Sequence, residues 1–249
     1  MNKAPAIGLV STLIISISVV LAAEIVGSSA VRAKSGNDVI SVTGSATMPI
    51  KSDLIIWTGT VTGQSPTMFA AYQQVKSGTA QVIGYLKKNG VDPADISTAA
   101  IQTNPQTENV VTASKGQRQS FQQTIGYILT QQVTVRSKNV DLVNKVSRNV
   151  TDLLSSGINF QSNPPVFLYT KVDKAKIEIL SKATADARNR AVHMAQSAGA
   201  RLGTVRSMRM EPLQITPRDS TQLSYDGAYD TTTRNKSITA IVKVKFGVH

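Results

Sequence analysis

The chain contains no cysteine. That absence removes disulfides, thiolate zinc sites, a cysteine nucleophile and a lipidated cysteine. It leaves an oxidising compartment open, because a core of this size needs no covalent staples. Histidine is nearly as scarce, with only His193 and His249. His193, between Val192 and Met194 in a helical pattern, reads as a structural residue, and the terminal His249 is expected to be mobile. Two distant histidines cannot build a usual zinc site. No Gly-x-Ser-x-Gly elbow or Walker sequence accompanies them. Aromatic residues make up 5% of the chain, too few to suggest stacking platforms for single strands. These gaps give the sequence no catalytic residue set, no metal site and no cofactor to assign.

What is present is positive charge. The 27 Lys+Arg outweigh 15 Asp+Glu for a net +12, a balance that favours polyanionic partners. The charge is spread, with no long basic run, so nucleic acid is disfavoured. Arg201, Arg206, Arg209, Lys243 and Lys245 are the candidate contacts for an anionic partner, either an envelope polymer or a membrane surface. Arg206 and Arg209, three apart on a strand, are expected on opposite sides of it, whereas Lys243 and Lys245 share one face. Close carboxylates occur as Asp92 with Asp95, which reads as a turn, and as Asp226 with Asp230 in a polar loop. The second pair sustains an alternative reading as an envelope hydrolase using loop carboxylates. Charge alone sustains another, a basic polyanion-binding module.

One long apolar run exists, from Ile7 to Ala23, preceded by Lys3 and followed by small residues up to Val31-Arg32-Ala33. Residues 1–33 therefore read as a signal peptide or N-terminal membrane anchor. The run is shorter than the roughly 20 residues of a spanning helix, and Ala33 offers the small residue that signal peptidase prefers. The expected location is the periplasm or cell envelope, with retention as an inner-membrane anchor if the segment stays attached.

The remaining chain is organised around Lys171 to Leu202. Val172, Ala175, Ile179, Ala183, Ala187, Ala191, Ala195, Ala198 and Leu202 recur at helical steps of three and four. An alanine stripe of this kind lets a helix backbone approach a sheet closely, and Gly199 can end it. Two shorter helices are predicted. The first runs over Thr67–Lys88 after a Ser65-Pro66 cap, with Phe69 and Tyr72 on its apolar side. The second starts from Ser137 and carries Val140, Val143, Val146, Val150, Leu153 and Leu154 before Gly157. Strands are predicted over Val39–Ser45, Leu54–Gly63, Asp95–Gln106, Gln122–Val135, Ile158–Tyr169, Thr204–Glu211 and Lys236–Val248. Val110–Ser120 and Pro212–Asn235 are read as loops. Helices and strands alternate irregularly, which predicts an α+β protein. Its mainly antiparallel sheet is covered by two shorter helices and the long alanine-rich one. Two interlocked lobes would divide near Val135.

These segments resemble the SIMPL-domain family over residues 38–249. The resemblance rests on Ile40-Ser41-Val42-Thr43-Gly44, Asp53 before an apolar strand, and Leu86…Gly90…Asp95-Ile96-Ser97-Thr98. It rests also on Gly126-Tyr127 leading to Val135 and on Leu202-Gly203 after the alanine helix. Ser52 and Thr233-Arg234-Asn235-Lys236 depart from the proline and the proline–glycine–glutamate turn of many members. What the resemblance implies is an exported envelope protein, a role in stress tolerance in some members and a homo-oligomer in some. It supplies no catalytic residues.

Overall fold

A computed structural model of the chain describes residues 38–114, 117–220 and 226–249; the N-terminal segment read as a signal or anchor lies outside them. Trp57, the sole tryptophan, is fully buried on β2 (Leu54–Ser65). Its Nε1 donates to Ser162 Oγ at 3.0 Å, and its ring sits 6.0 Å from that of Phe160. Gly59 leaves the room for that ring, since a Cβ there would come within 2.2 Å of Phe160 Cζ. Around this centre β2 pairs antiparallel with β5 (Gln117–Ser137) on one side. The short β6 (Phe160–Ser162) and β7 (Val166–Leu168) pair with its other side. β3 (Ile96–Thr98) and β4 (Gln102–Ser114) both pair with β5. α1 (Met68–Lys88) and α2 (Val140–Asn149) bring Val82, Leu86, Val143 and Val146 onto this six-stranded sheet.

The long helix α3 (Val172–Ser197) covers the other sheet. Ala175, Ile179, Ala183, Ala187, Ala191 and Ala195 are its buried stripe, as their spacing predicts. Beneath it β1 (Val39–Lys51) pairs along its whole length with β11 (Asn235–Val248). β11's other edge takes β8 (Leu202–Met210) and β9 (Gln214–Pro217), and β10 (Ala228–Tyr229) joins β9 in parallel. The helix stops at a left-handed Gly199 (φ 72°), with Ala200 N–H donating to Ala195 C=O and Gly199 N–H to Gln196 C=O. Leu202 is therefore the first residue of β8, beyond the helix.

The architecture is α+β with largely antiparallel sheets, but the lobes do not divide near Val135. One is formed by β2 to β7, and the other joins β1 to α3 and β8 to β11. Strand propensity is local and cannot reveal that the first strand pairs with the last. Val110–Ser120 is ribbon rather than loop as far as Ser114 and from Gln117 onward. Its Gln, Asn, Ser and Thr hide the apolar alternation that marks strands. Asn139, not Ser137, caps α2, its Oδ1 accepting from Leu142 N–H. Thr67 caps α1, and Phe69 and Tyr72 point to solvent.

Among the described residues, a cluster of hydrogen bonds and an ion pair stitches the two lobes together. Asp53 accepts from Thr170 N–H at 2.7 Å and Thr170 Oγ1 at 2.9 Å. Ser52 N–H donates to Arg234 C=O, and Phe167 N–H to Thr231 C=O. Arg234 grips both carboxylate oxygens of Asp141 at the start of α2.

Candidate functional site

Alternation along β11 turns Ile238, Ala240, Val242, Val244 and Phe246 toward α3 and leaves Lys243 and Lys245 on the opposite, solvent face. Antiparallel partners share a face. The register sets Thr43 of β1 and Arg209 of β8 on either side of Lys243, and Ser41 and Ser207 on either side of Lys245. The sequence places Arg206 on the opposite side from Arg209. A register shift between Lys245 and Phe246 changes this, since Ser207 faces Lys245 and Val205 faces Phe246, leaving Arg206 as the extra residue of a β-bulge. Its guanidinium lies over Gly247, where a Cβ would come within 3.0 Å of Nε. Gly247 follows Lys245 on the solvent face, so Arg206 joins Arg209, Lys243 and Lys245 there. Strand period alone cannot anticipate a bulge.

Arg201 stands at the rim of this group, just before β8. Its backbone exchanges hydrogen bonds with that of His249, N–H to C=O in both directions at 2.7 and 3.1 Å. The C-terminal residue is thus tied down, contrary to the expectation of mobility. Lys243 is not free: its Nζ sits 2.8 Å from Glu211 Oε1. The hydrogen bond and charge of Lys243 hold the Glu211 carboxyl below its ordinary range. Lys245 and Arg209 are exposed.

The face also carries residues that the sequence reading passed over. Ser41, Thr43, Ser45 and Thr47 form an exposed hydroxyl row along β1, with Thr47 Oγ1 3.0 Å from Thr239 Oγ1. The signal was there, as Ser and Thr fall at every second position. At the free edge of β1, Asp186 of α3 accepts from Ser45 N–H at 2.9 Å and from Arg190 Nε at 2.9 Å. Those two bonds, the Ser45 N–H first, hold the Asp186 carboxyl low.

The loop carboxylates meet different fates. Pro212–Asn235 is only partly loop, because β9 and β10 lie within it. Asp226 is exposed beside a groove of about 520 Å³ that Asp173, Lys176 and Tyr229 also line. Asp230 is buried against Lys236, whose Nζ is 2.9 Å from Oδ2 and 2.6 Å from the Asp230 carbonyl. Burial works against the charged form of Asp230. The hydrogen bonds from Thr233, Lys236 and Thr232 outweigh it and hold the carboxyl far below the ordinary range. Every oxygen of that carboxylate is engaged, so Asp230 serves as a structural anchor. Among the described residues no group of three or more His, Asp or Glu converges as a metal site. No described helix is long and apolar enough to cross a membrane.

The family model SIMPL, described as a protein of unknown function (DUF541), matches residues 40–246. The chain is also 27% identical over 189 residues to "Uncharacterized protein YggE" of Edwardsiella ictaluri, an alignment covering 74% of this chain and 72% of that protein. With the match spanning both lobes and the helix between them, this chain belongs to the SIMPL family.

Proposed function

We propose that the protein is an exported, non-enzymatic component of the cell envelope that holds an anionic envelope polymer on the solvent face of its C-terminal sheet. The observation that carries the reading is the convergence of Arg206, Arg209, Lys243 and Lys245 on one face beside a row of hydroxyls. Guanidinium groups match carboxylates and phosphates in a planar, two-pronged geometry, and hydroxyls add neutral hydrogen bonds between the charges. A strand surface presents these groups at a repeat of about 7 Å, two residues along the strand. That spacing suits an extended polymer better than a compact ligand. Any contribution to envelope-stress tolerance would follow from this adhesion.

The test is retention on purified peptidoglycan and on anionic liposomes, for the native protein and for Arg209→Glu/Lys245→Glu. Native retention should fall as salt rises, since exposed charges are screened within about 8 Å at physiological ionic strength. The reversed variant should be lost from peptidoglycan. Liposome binding without peptidoglycan binding would reassign the face to a membrane surface. Unchanged retention of the variant on both would end the proposal.

A further inference from the structure

While Val75, Gly78 and Val82 of α1 turn inward, Gln73, Ser77 and Gln81 follow one another at steps of four along an exposed side of the helix. That row is one wall of a cleft of about 400 Å³. Ser156 and Asn159, where the short 3₁₀ helix Val150–Ser156 leads into β6, stand on the other wall. Thr62 of β2 and the buried Ile158 complete the lining. The walls come this close because Gly78 has no side chain. A Cβ there would lie 2.8 Å from Val61 Cγ1 and 3.1 Å from Ile158 Cγ2.

No charged side chain lines the cleft, although the chain carries a net +12. Its polar side chains are all amides or hydroxyls, groups that both donate and accept hydrogen bonds. An anion would find no cation here, and a cation no carboxylate. A wholly apolar ligand would strip water from the amides and leave them unpaired. The lining therefore matches a neutral ligand that itself donates and accepts. An extended peptide would have to add to the edge of β2. The donors it needs are in use: Thr62 N–H donates to Asn159 C=O and Gln64 N–H to Gln74 Oε1, both at 2.9 Å.

We propose that the cleft binds one unit of a neutral saccharide that bears an acetamido group. Two of its amides are already held in place. Gln74 is tethered through Oε1 and keeps its N–H donors for a ligand, and Gln81 Nε2 donates to Ser77 Oγ at 3.3 Å, which leaves Gln81 Oε1 to accept. Sugar hydroxyls can bridge such groups. An acetamido group meets a glutamine or asparagine amide by one hydrogen bond given and one received, and Ile158 offers its methyl an apolar neighbour. The volume lies toward the small end of ligand pockets, which run from about 300 to 1,000 Å³, so one ring enters and the rest of an oligomer stays outside. This inference is independent of the anion-binding reading, because Arg209 and Lys245 belong to the other sheet.

The test is an NMR titration of the full chain with chitotriose, a neutral oligomer of N-acetylglucosamine, and with maltotriose, which lacks the acetamido group. Saturable binding of chitotriose is expected, with shifts centred on Ser77, Gln81 and Asn159 and affinity for maltotriose at least tenfold weaker. Added salt should leave the affinity unchanged, since no charge is screened. Gln73→Ala/Gln81→Ala should weaken chitotriose binding at least tenfold with native circular dichroism, as alanine suits exposed helix positions. Arg209→Glu/Lys245→Glu should bind chitotriose as the native protein does. No binding of chitotriose, equal binding of maltotriose, affinity unchanged in the glutamine variant, or affinity lost in the basic-face variant would each overturn the proposal. So would binding of a capped tetra-alanine peptide that the glutamine variant loses, which would make the cleft a peptide site.

Discussion

Replacing Gly44 by alanine puts a methyl group where the α3 backbone already lies. The added Cβ would stand 2.3 Å from Ala183 O, 2.4 Å from Ala187 N and 2.6 Å from Ala187 Cβ. Two of the three are backbone atoms of a long helix, so no rotamer change relieves the clash. Reaching ordinary contact requires α3 to retreat by about 1 Å from β1, and a gap of that size forfeits a quarter to a half of the dispersion well along the stripe. Overpacking of this kind costs about 1–3 kcal/mol or more. Opposing it, alanine is favoured over glycine within an element by about 0.5–1 kcal/mol. The steric effect wins, for a net loss of about 2 kcal/mol and a fall in Tm of about 4–8 °C for a chain of this length. The same substitution at Gly84, exposed on α1 with nothing within 4 Å of its Cβ, has only the favourable side and should stabilise the protein. Thermal unfolding by far-UV circular dichroism reads both, and Trp57 fluorescence shows whether the other lobe melts in step. A Gly44→Ala protein as stable as the native one would refute the close helix–sheet seating.

Lys236→Met strands a buried carboxylate and should cost about 3–5 kcal/mol in urea unfolding, with Lys236→Met/Asp230→Leu costing less than that single change. The Asp230 carboxyl is held low in the folded state. Its contribution is therefore complete at neutral pH and is lost as pH falls below the ordinary carboxylate value toward its folded one. Asp230→Asn should flatten the acid limb of the stability curve. Ser52 Oγ is buried without a hydrogen-bond partner among the described residues, so Ser52→Ala should be neutral or stabilising by up to about 1 kcal/mol, read as a urea midpoint. Intact-mass measurement of protein recovered from its cells should place the mature N-terminus at Lys34; a mass that includes residues 1–33 would favour the anchor instead.

The α3 face was legible because its signal is local and periodic: Ala175 to Ala195 at steps of four needs no partner to be recognised. Trp57 as an anchor and the alternation of β11 were legible for the same reason. The β4–β5 ribbon was not, since polar side chains on both faces erase the period of two. Nor were the lobes, because the pairing of Val39–Lys51 with Asn235–Val248 depends on residues far apart in the chain. The candidate face was half visible. Lys243 and Lys245 follow from alternation, whereas Arg206 arrives through a bulge, and Asp230 looked available until Lys236 and its threonines were seen around it.

The pairing of β1 with β11 also sets an order of assembly. β1 must wait for β11 to be synthesised, so the alanine helix has no finished floor until that late strand has emerged. The lobe around Trp57 draws only on interior segments and can close earlier. Contacts between segments so far apart in the chain slow folding, which prolongs the interval before the alanine stripe is buried.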